Sequence, residues 1–290
     1  MNAANSIPVR RSLRTSREWS VIVALAFVVA LVAVALLAPV LAPFAVDALD
    51  LSHRRAGPSM THWFGTDELG RDLLTRVLFG ARVSLAIGLL SAVVSVALGT
   101  VVGATAGFVR RWVDDLLMRC TDAMLCIPRL PLLMIGAAFA RPSVPMLVLL
   151  VGAVGWMETA RVVRAAVLSL TARDYVTAAR AMGAAPWRVL ARHVLPGVIP
   201  VAAVATTLAV GRGILLESTL SFFGVGVQPP TASWGNMLYQ AQTAMASEPW
   251  LAIFPGLMIF LTVLLCNMLG DAMAARSTAT SAAPAARDAS

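Results

Sequence analysis

Six apolar stretches of roughly 20 residues dominate this 290-residue chain, and each is long enough at about 1.5 Å per helical residue to cross a hydrocarbon core of about 30 Å. They run from Ser20 to Ala42, Val83 to Phe108, Leu116 to Ala140, Val144 to Val163, Val194 to Leu216 and Leu251 to Gly270. In lipid every backbone N–H and C=O must be satisfied internally, so runs of this length fold as helices. The class is therefore an all-α polytopic membrane protein with about six transmembrane helices. Arg119, Asp122, Arg129 and Glu158 interrupt the third and fourth runs. The Arg10–Arg11 pair before the first run resembles the start of an export signal, but that run exceeds the 7 to 15 residues of a signal core, and Pro39 and Pro43 sit where a spanning helix would end. The first span is expected to be retained. The chain then divides into a basic cytoplasmic tail 1–19, a first span 20–43, an outer segment 44–82, and a five-helix core 83–270. That core holds a cytoplasmic loop 164–196 and an outer loop 217–250, and a small polar tail 271–290 is expected to be disordered.

Charge sets the orientation. Only 13% of residues are charged, the mean hydropathy is +0.80, and every one of the 23 basic residues is arginine. Fourteen arginines fall in segments that are cytoplasmic if the amino terminus is inside: Arg10, Arg11, Arg14, Arg17, Arg110, Arg111, Arg161, Arg164, Arg173, Arg180, Arg188, Arg192, Arg276 and Arg287. Six lie outside: Arg54, Arg55, Arg71, Arg76, Arg82 and Arg141. That asymmetry places both termini in the cytoplasm. It also accounts for the net charge of +8 without invoking nucleic acid. The absence of lysine excludes a Walker A phosphate loop and Schiff-base chemistry, so this chain carries no ATPase site of its own. Cys120, Cys126 and Cys266 have no metal-ligand or CxxC spacing. No HExxH, GxSxG or nucleophile triad points to an enzyme.

Between the fourth and fifth spans, RDYVTAARAMGAAPWRVLARHVLP reads as two short helices. The first is expected over Asp174 to Met182, with Asp174 at the N-cap and Gly183 as the left-handed residue that ends it. Pro186 suits the first turn of the second, which Pro196 should end. Tyr175, Ala178, Ala179 and Met182 follow i, i+3, i+4, i+7 spacing and form an apolar stripe, with Arg173 and Arg180 off it. Such a stripe either enters a groove on another protein, with Tyr175 as its anchor, or lies against this chain's own spans or the headgroups.

The same segment resembles the EAA loop of permease subunits of ATP-binding-cassette importers. Ala178, Ala179, Gly183, Leu195 and Pro196 stand at the motif's spacing, while Thr177 replaces its glutamate and His193 its isoleucine. The wording is that of the dipeptide, oligopeptide and nickel permease branch. So are HWFGTDELGRDLLTRVLFGARVSL from His62, VDDLLMRCTDAMLCIP from Val113 and LLESTLSFFGVGVQPPTASWGNML from Leu215, in the same order. The resemblance implies a type I importer permease fold in the inner membrane of a prokaryote. Two separate ATPase subunits, which hydrolyse the ATP, a homologous second permease and an extracytoplasmic binding protein are the implied partners, and no cofactor is bound by this chain. The cargo is peptide-like, or nickel or another small solute. Coupling residues implied by it are Asp174, Tyr175, Thr177, Ala178, Ala179, Arg180, Met182, Gly183, Leu195 and Pro196.

Ionisable groups at membrane depth are costly and point to function. Arg119 and Asp122, three apart, can pair with each other or join Asp114 and Asp115 in a structural network near the inner surface. Arg129, between Pro128 and Pro131, has no acidic residue within a turn and is a candidate for lining a wet path or meeting a substrate carboxylate. Arg212, five residues before Glu217, either lines that path or snorkels outward. A stand-alone ion-coupled transporter would instead use Arg119, Asp122 and Arg129 as a charge relay, but no internal repeat accompanies them. Gly99, Gly103 and Gly107 form a doubled GxxxG that permits close helix approach. Trp234 and Trp250 are expected at the membrane interface.

Overall fold

A computed structural model describes residues 8–139 and 143–282. The first seven residues, Arg141, and the tail beyond Ala282 with Arg287 lie outside them. The long helices are α1 (Pro8–Leu41), α2 (Leu73–Val109), α5 (Val144–Thr171), α8 (Leu195–Phe222) and α10 (Trp250–Ala282). Between them stand the shorter α3 (Arg111–Cys126), α4 (Arg129–Phe139), α6 (Asp174–Ala181), α7 (Pro186–Val189) and α9 (Trp234–Ala241). Among the described residues five helices are long and apolar enough to span, and α3 with α4 makes a sixth if counted as one bent crossing. Among the described residues the only β pairing is an isolated bridge, Thr66 to Asp72.

Proline placement explains two departures from the expected spans. The third run is not one helix: α3 and α4 meet at 87°. Ile127 is extended (φ −81°, ψ 125°) because it precedes Pro128, whose ring disfavours helical backbone in the residue before it. Pro196, in contrast, ends nothing. Residues Leu190–Val194 form a π turn in which the Leu195 N–H reaches the Leu190 carbonyl, and this wider turn takes up the distortion around Pro196, so α7 runs on into α8. The helix α10 continues to Ala282, so the part of the tail expected to be disordered from 271 is helical to that point; MAARSTATSA holds several alanines and no proline or glycine to stop it.

The centre of the protein is α2 against α5, with α8 closing the third side. Gly99, Gly103 and Gly107 all face α5: a Cβ on Gly103 would lie 2.3 Å from the Ala160 carbonyl oxygen, and one on Gly99 2.6 Å from Cβ of Thr159. The doubled GxxxG is thus the seam of the fold. One buried cluster joins Ile87, Leu133, Leu147, Val151, Met157 and Leu220 from α2, α4, α5 and α8. A second, at the loop between α5 and α8, joins Val163, Val167, Val176, Val189, Val194 and Val198.

The helix α2 starts at Leu73, ten residues before the apolar run, because Asp72 caps it: its carboxylate accepts from the Thr75 amide at 2.8 Å and faces His62 Nδ1 at 3.0 Å. The preceding loop folds around Asp67, which accepts from the Leu69 and Arg71 amides and pairs with Arg71 Nε at 2.7 Å. Trp234 is fully buried rather than interfacial, and its indole N–H donates to the Val77 carbonyl at 3.1 Å.

Candidate functional site

Two places bring the expected site residues together. The first is the pair α6–α7, between α5 and α8. Asp174 occupies the first turn of α6 rather than its cap, which is Arg173 with no side-chain cap bond; the carboxylate there still complements the helix dipole. The helix ends in a Schellman motif. Gly183 has φ +80°, the Ala184 N–H reaches the Ala179 carbonyl at 3.1 Å and the Gly183 N–H the Arg180 carbonyl at 3.0 Å. Ala185 then caps α7, with Pro186 in its first turn.

The apolar stripe expected on α6 is divided. Ala179 is buried, and so is Val176, which the apolar stripe leaves out and which joins the cluster shared with α5 and α8. Tyr175 and Met182 are 47% and 82% exposed, with Ala178 beside them, and Trp187 on α7 is 67% exposed. One face of α6 is therefore seated on its own chain while another stays open. The docked face, Val176 and Ala179 three apart, includes only one of the four stripe positions, so counting apolar residues at i, i+3, i+4, i+7 mixes the two faces. Thr177 is exposed, Leu195 is half-buried and Pro196 is exposed. The Arg180 guanidinium lies 5.5 Å from the Phe108 ring, joining α6 to the end of α2.

The second place is at membrane depth. Arg119 and Asp122 do not pair with each other: Asp122 bonds Arg161 on α5, and Arg119 is exposed with no ion pair among the described residues. Asp114 instead holds Arg164 in a two-pronged contact, Nη2 to Oδ2 at 2.6 Å. The α3 charges thus clamp α3 to α5. Arg129 does find an acid, 29 residues away: its Nη2 is 2.5 Å from Glu158 Oε1. The other oxygen of Glu158 takes Arg212 Nη1, so Arg212 neither snorkels nor turns to Glu217. Glu158, the residue missed here, stands at the midpoint of the 28-residue α5, about 21 Å from either end. It was legible only as an interruption of the fourth run, since its partners come from α4 and α8. Arg129 and Arg212 border a small cleft with Ser91, Ser95 and Gly213. The residues assigned to a charge relay, Arg119, Asp122 and Arg129, are not one connected chain.

In the sequence Glu217 stands out only as a neighbour of Arg212. It is buried, and it accepts hydrogen bonds from the hydroxyls of Ser221 and Ser233 at 2.8 Å and Ser84 at 3.1 Å. It locks α2, α8 and the loop between α8 and α9 together. Among the described residues no group of histidine, cysteine or carboxylate side chains is arranged to hold a metal ion.

A multi-pass helical membrane protein with a paired-helix loop between α5 and α8 is what this fold and these sites define. The chain belongs to the family of binding-protein-dependent transport system inner membrane components, which residues 99–278 match, while residues 12–58 match the N-terminal TM domain of oligopeptide transport permease C. It is 39% identical over 261 residues to the glutathione transport system permease protein GsiD of Pectobacterium atrosepticum, covering 90% of this chain and 87% of that one. GsiD of Escherichia coli O6:K15:H31 is 38% identical over 90% of this chain and 86% of its own length. A putative peptide permease protein of Brucella suis is 37% identical over 273 residues, 93% of this chain and 90% of that protein. The resemblance to the dipeptide and oligopeptide permease branch is thereby established, and with it the permease fold.

Proposed function

We propose that this chain is one of two permease subunits of an ATP-driven importer for glutathione or short peptides, with both termini in the cytoplasm. The ATPase subunits are separate polypeptides that bind and hydrolyse the nucleotide; the chain itself holds no cofactor. A homologous permease completes the path, and an extracytoplasmic binding protein delivers the solute. The observation that carries this reading is the two-sided α6: one face packed into its own chain and an open apolar face at Tyr175, Ala178 and Met182, with Trp187 beside it. The open face is the surface offered to an ATPase groove, with Tyr175 as anchor. The docked face is the transmission. Val176 packs with Val163 and Val167 of α5 and with Val198 of α8, so displacement of α6 is passed to the helices that carry Glu158 and Arg212. Gly183 sets the angle between α6 and α7.

The test is purification of the tagged chain from its native membranes in mild detergent. An ATPase and a second permease are expected to accompany it. The ATPase is lost from Tyr175→Asp/Ala178→Asp, which inserts normally, whereas Val176→Asp disrupts the loop itself. A lone chain that drives uptake in liposomes without ATP overturns the reading.

A further inference from the structure

Glu158 is shared by two arginines from two other helices, and three ionised groups at membrane depth leave one positive charge uncompensated. The cleft beside Arg129 and Arg212 contributes no acidic side chain from its own lining, which is otherwise Ser91, Ser95 and small or apolar residues. The hydroxyls there are already committed: Ser91 donates to the Gly88 carbonyl and Ser95 to the Gly152 carbonyl. The arginines are not. Each guanidinium has five N–H donors and spends one on Glu158. Nor is the cluster sealed, since the side chains of Arg129, Arg212 and Glu158 remain 29%, 38% and 39% exposed. Charged groups so placed face a wet space rather than lipid.

We infer that Arg129 and Arg212 form a carboxylate-binding station for the transported solute, with Glu158 as the resident carboxylate that holds both guanidiniums in position and competes with the cargo for them. This rests on the importer reading above and adds the chemical group recognised and the residue that regulates its release. An arriving carboxylate meets net +1 and unused N–H donors, and charge-assisted bonds between guanidinium and carboxylate are the strong class of hydrogen bond. Glu158 keeps that attraction shallow enough for the solute to leave, because it reclaims the donors as the cargo departs. Movement of α5 and α8 driven from α6 alters the spacing between Glu158 and Arg212, so affinity is linked to the transport cycle.

The experiment uses the complete importer in proteoliposomes at saturating binding protein, with glutathione and alanyl-alanine as probes, each as free acid and as carboxyl methyl ester. Arg129→Gln and Arg212→Gln each raise the KM for the acids about tenfold, the loss expected for one charge-assisted bond. Arg212→Lys restores most of it. Glu158→Gln moves the other way: KM falls and the maximal rate falls with it, because the competitor is gone and release slows. A merely structural ion cluster predicts the same sign for all three, so a raised KM in Glu158→Gln overturns the proposal, as does a wild-type importer that carries ester as readily as acid. Loss of the second permease from the arginine variants also overturns it, by assigning the excess charge to the subunit interface. Failure of the wild type to take up any probe with ATP overturns the importer reading itself, and this inference with it.

Discussion

Glu217 is a carboxyl group in the protein interior with no ion pair among the described residues, and what makes that tolerable is three hydroxyls aimed at it from α2, α8 and the loop between α8 and α9. Glu217→Ala strands those donors, and each buried unsatisfied group costs about 1–3 kcal/mol. A clear drop in thermal unfolding temperature in detergent is expected, with Glu217→Gln in between because its amide oxygen still accepts. Equal stability of all three would show that the serines find other acceptors. Gly183 is a different case, since a side chain there would meet open space and the objection is only its φ of +80°. A β-branched residue in left-handed backbone costs about 1–2 kcal/mol, enough to re-angle a short loop without unfolding a bundle. Gly183→Val should therefore abolish uptake while membrane levels stay normal, and Gly183→Asn should keep much of the activity. Unchanged uptake in Gly183→Val would remove the lever from the mechanism. Gly183 was readable from the sequence because a left-handed C-cap is a local requirement.

At the scale of elements, the α2–α5 seam depends on missing side chains. Gly103 has the Ala160 carbonyl where a Cβ would go, whereas on α8 the nearest atom to a Cβ at Gly211 is 3.6 Å away. The same change at the two sites should thus have opposite consequences. Gly103→Ala forces the helices apart and costs about 1–3 kcal/mol as overpacking, while Gly211→Ala is neutral or slightly stabilising because alanine is the better helix former. Thermal unfolding of the two variants in one detergent checks this, and equal shifts would contradict the packing. The GxxxG spacing announced a close approach but not the partner, which needs the facing carbonyls of Ala160 and Arg164. Helix ends followed local rules at Ile127, before proline, and failed at Pro196. There the π turn from Leu190 is a property of the whole α7–α8 rod, whose buried Val189, Val194 and Val198 keep it continuous.

For the whole molecule, the bend between α3 and α4 decides the topology. If the pair crosses as one span, the exposed Met60 and the exposed Thr177 lie on opposite sides of the membrane; if it re-enters, they share a side. In a chain freed of Cys120, Cys126 and Cys266, an impermeant thiol reagent added to intact cells should label Met60→Cys and spare Thr177→Cys. Labelling of both would mean that α3 and α4 do not span. The sequence by itself determined that this is a helical membrane protein, roughly where its spans run, and that a short helix stopped at Gly183 opens the loop after Arg173. Those properties depend on hydropathy and capping, which act over a few neighbouring residues. It also carried the family, because four segments keep their wording and order. Only the tertiary structure decided which charges meet and which apolar face is free. Arg129, Glu158 and Arg212 lie on three helices separated by 29 and 54 positions, and Val176 rather than Tyr175 is seated because α5 and α8 happen to present valines there. Pairing across helices depends on rotation and depth, which packing sets and periodicity does not encode.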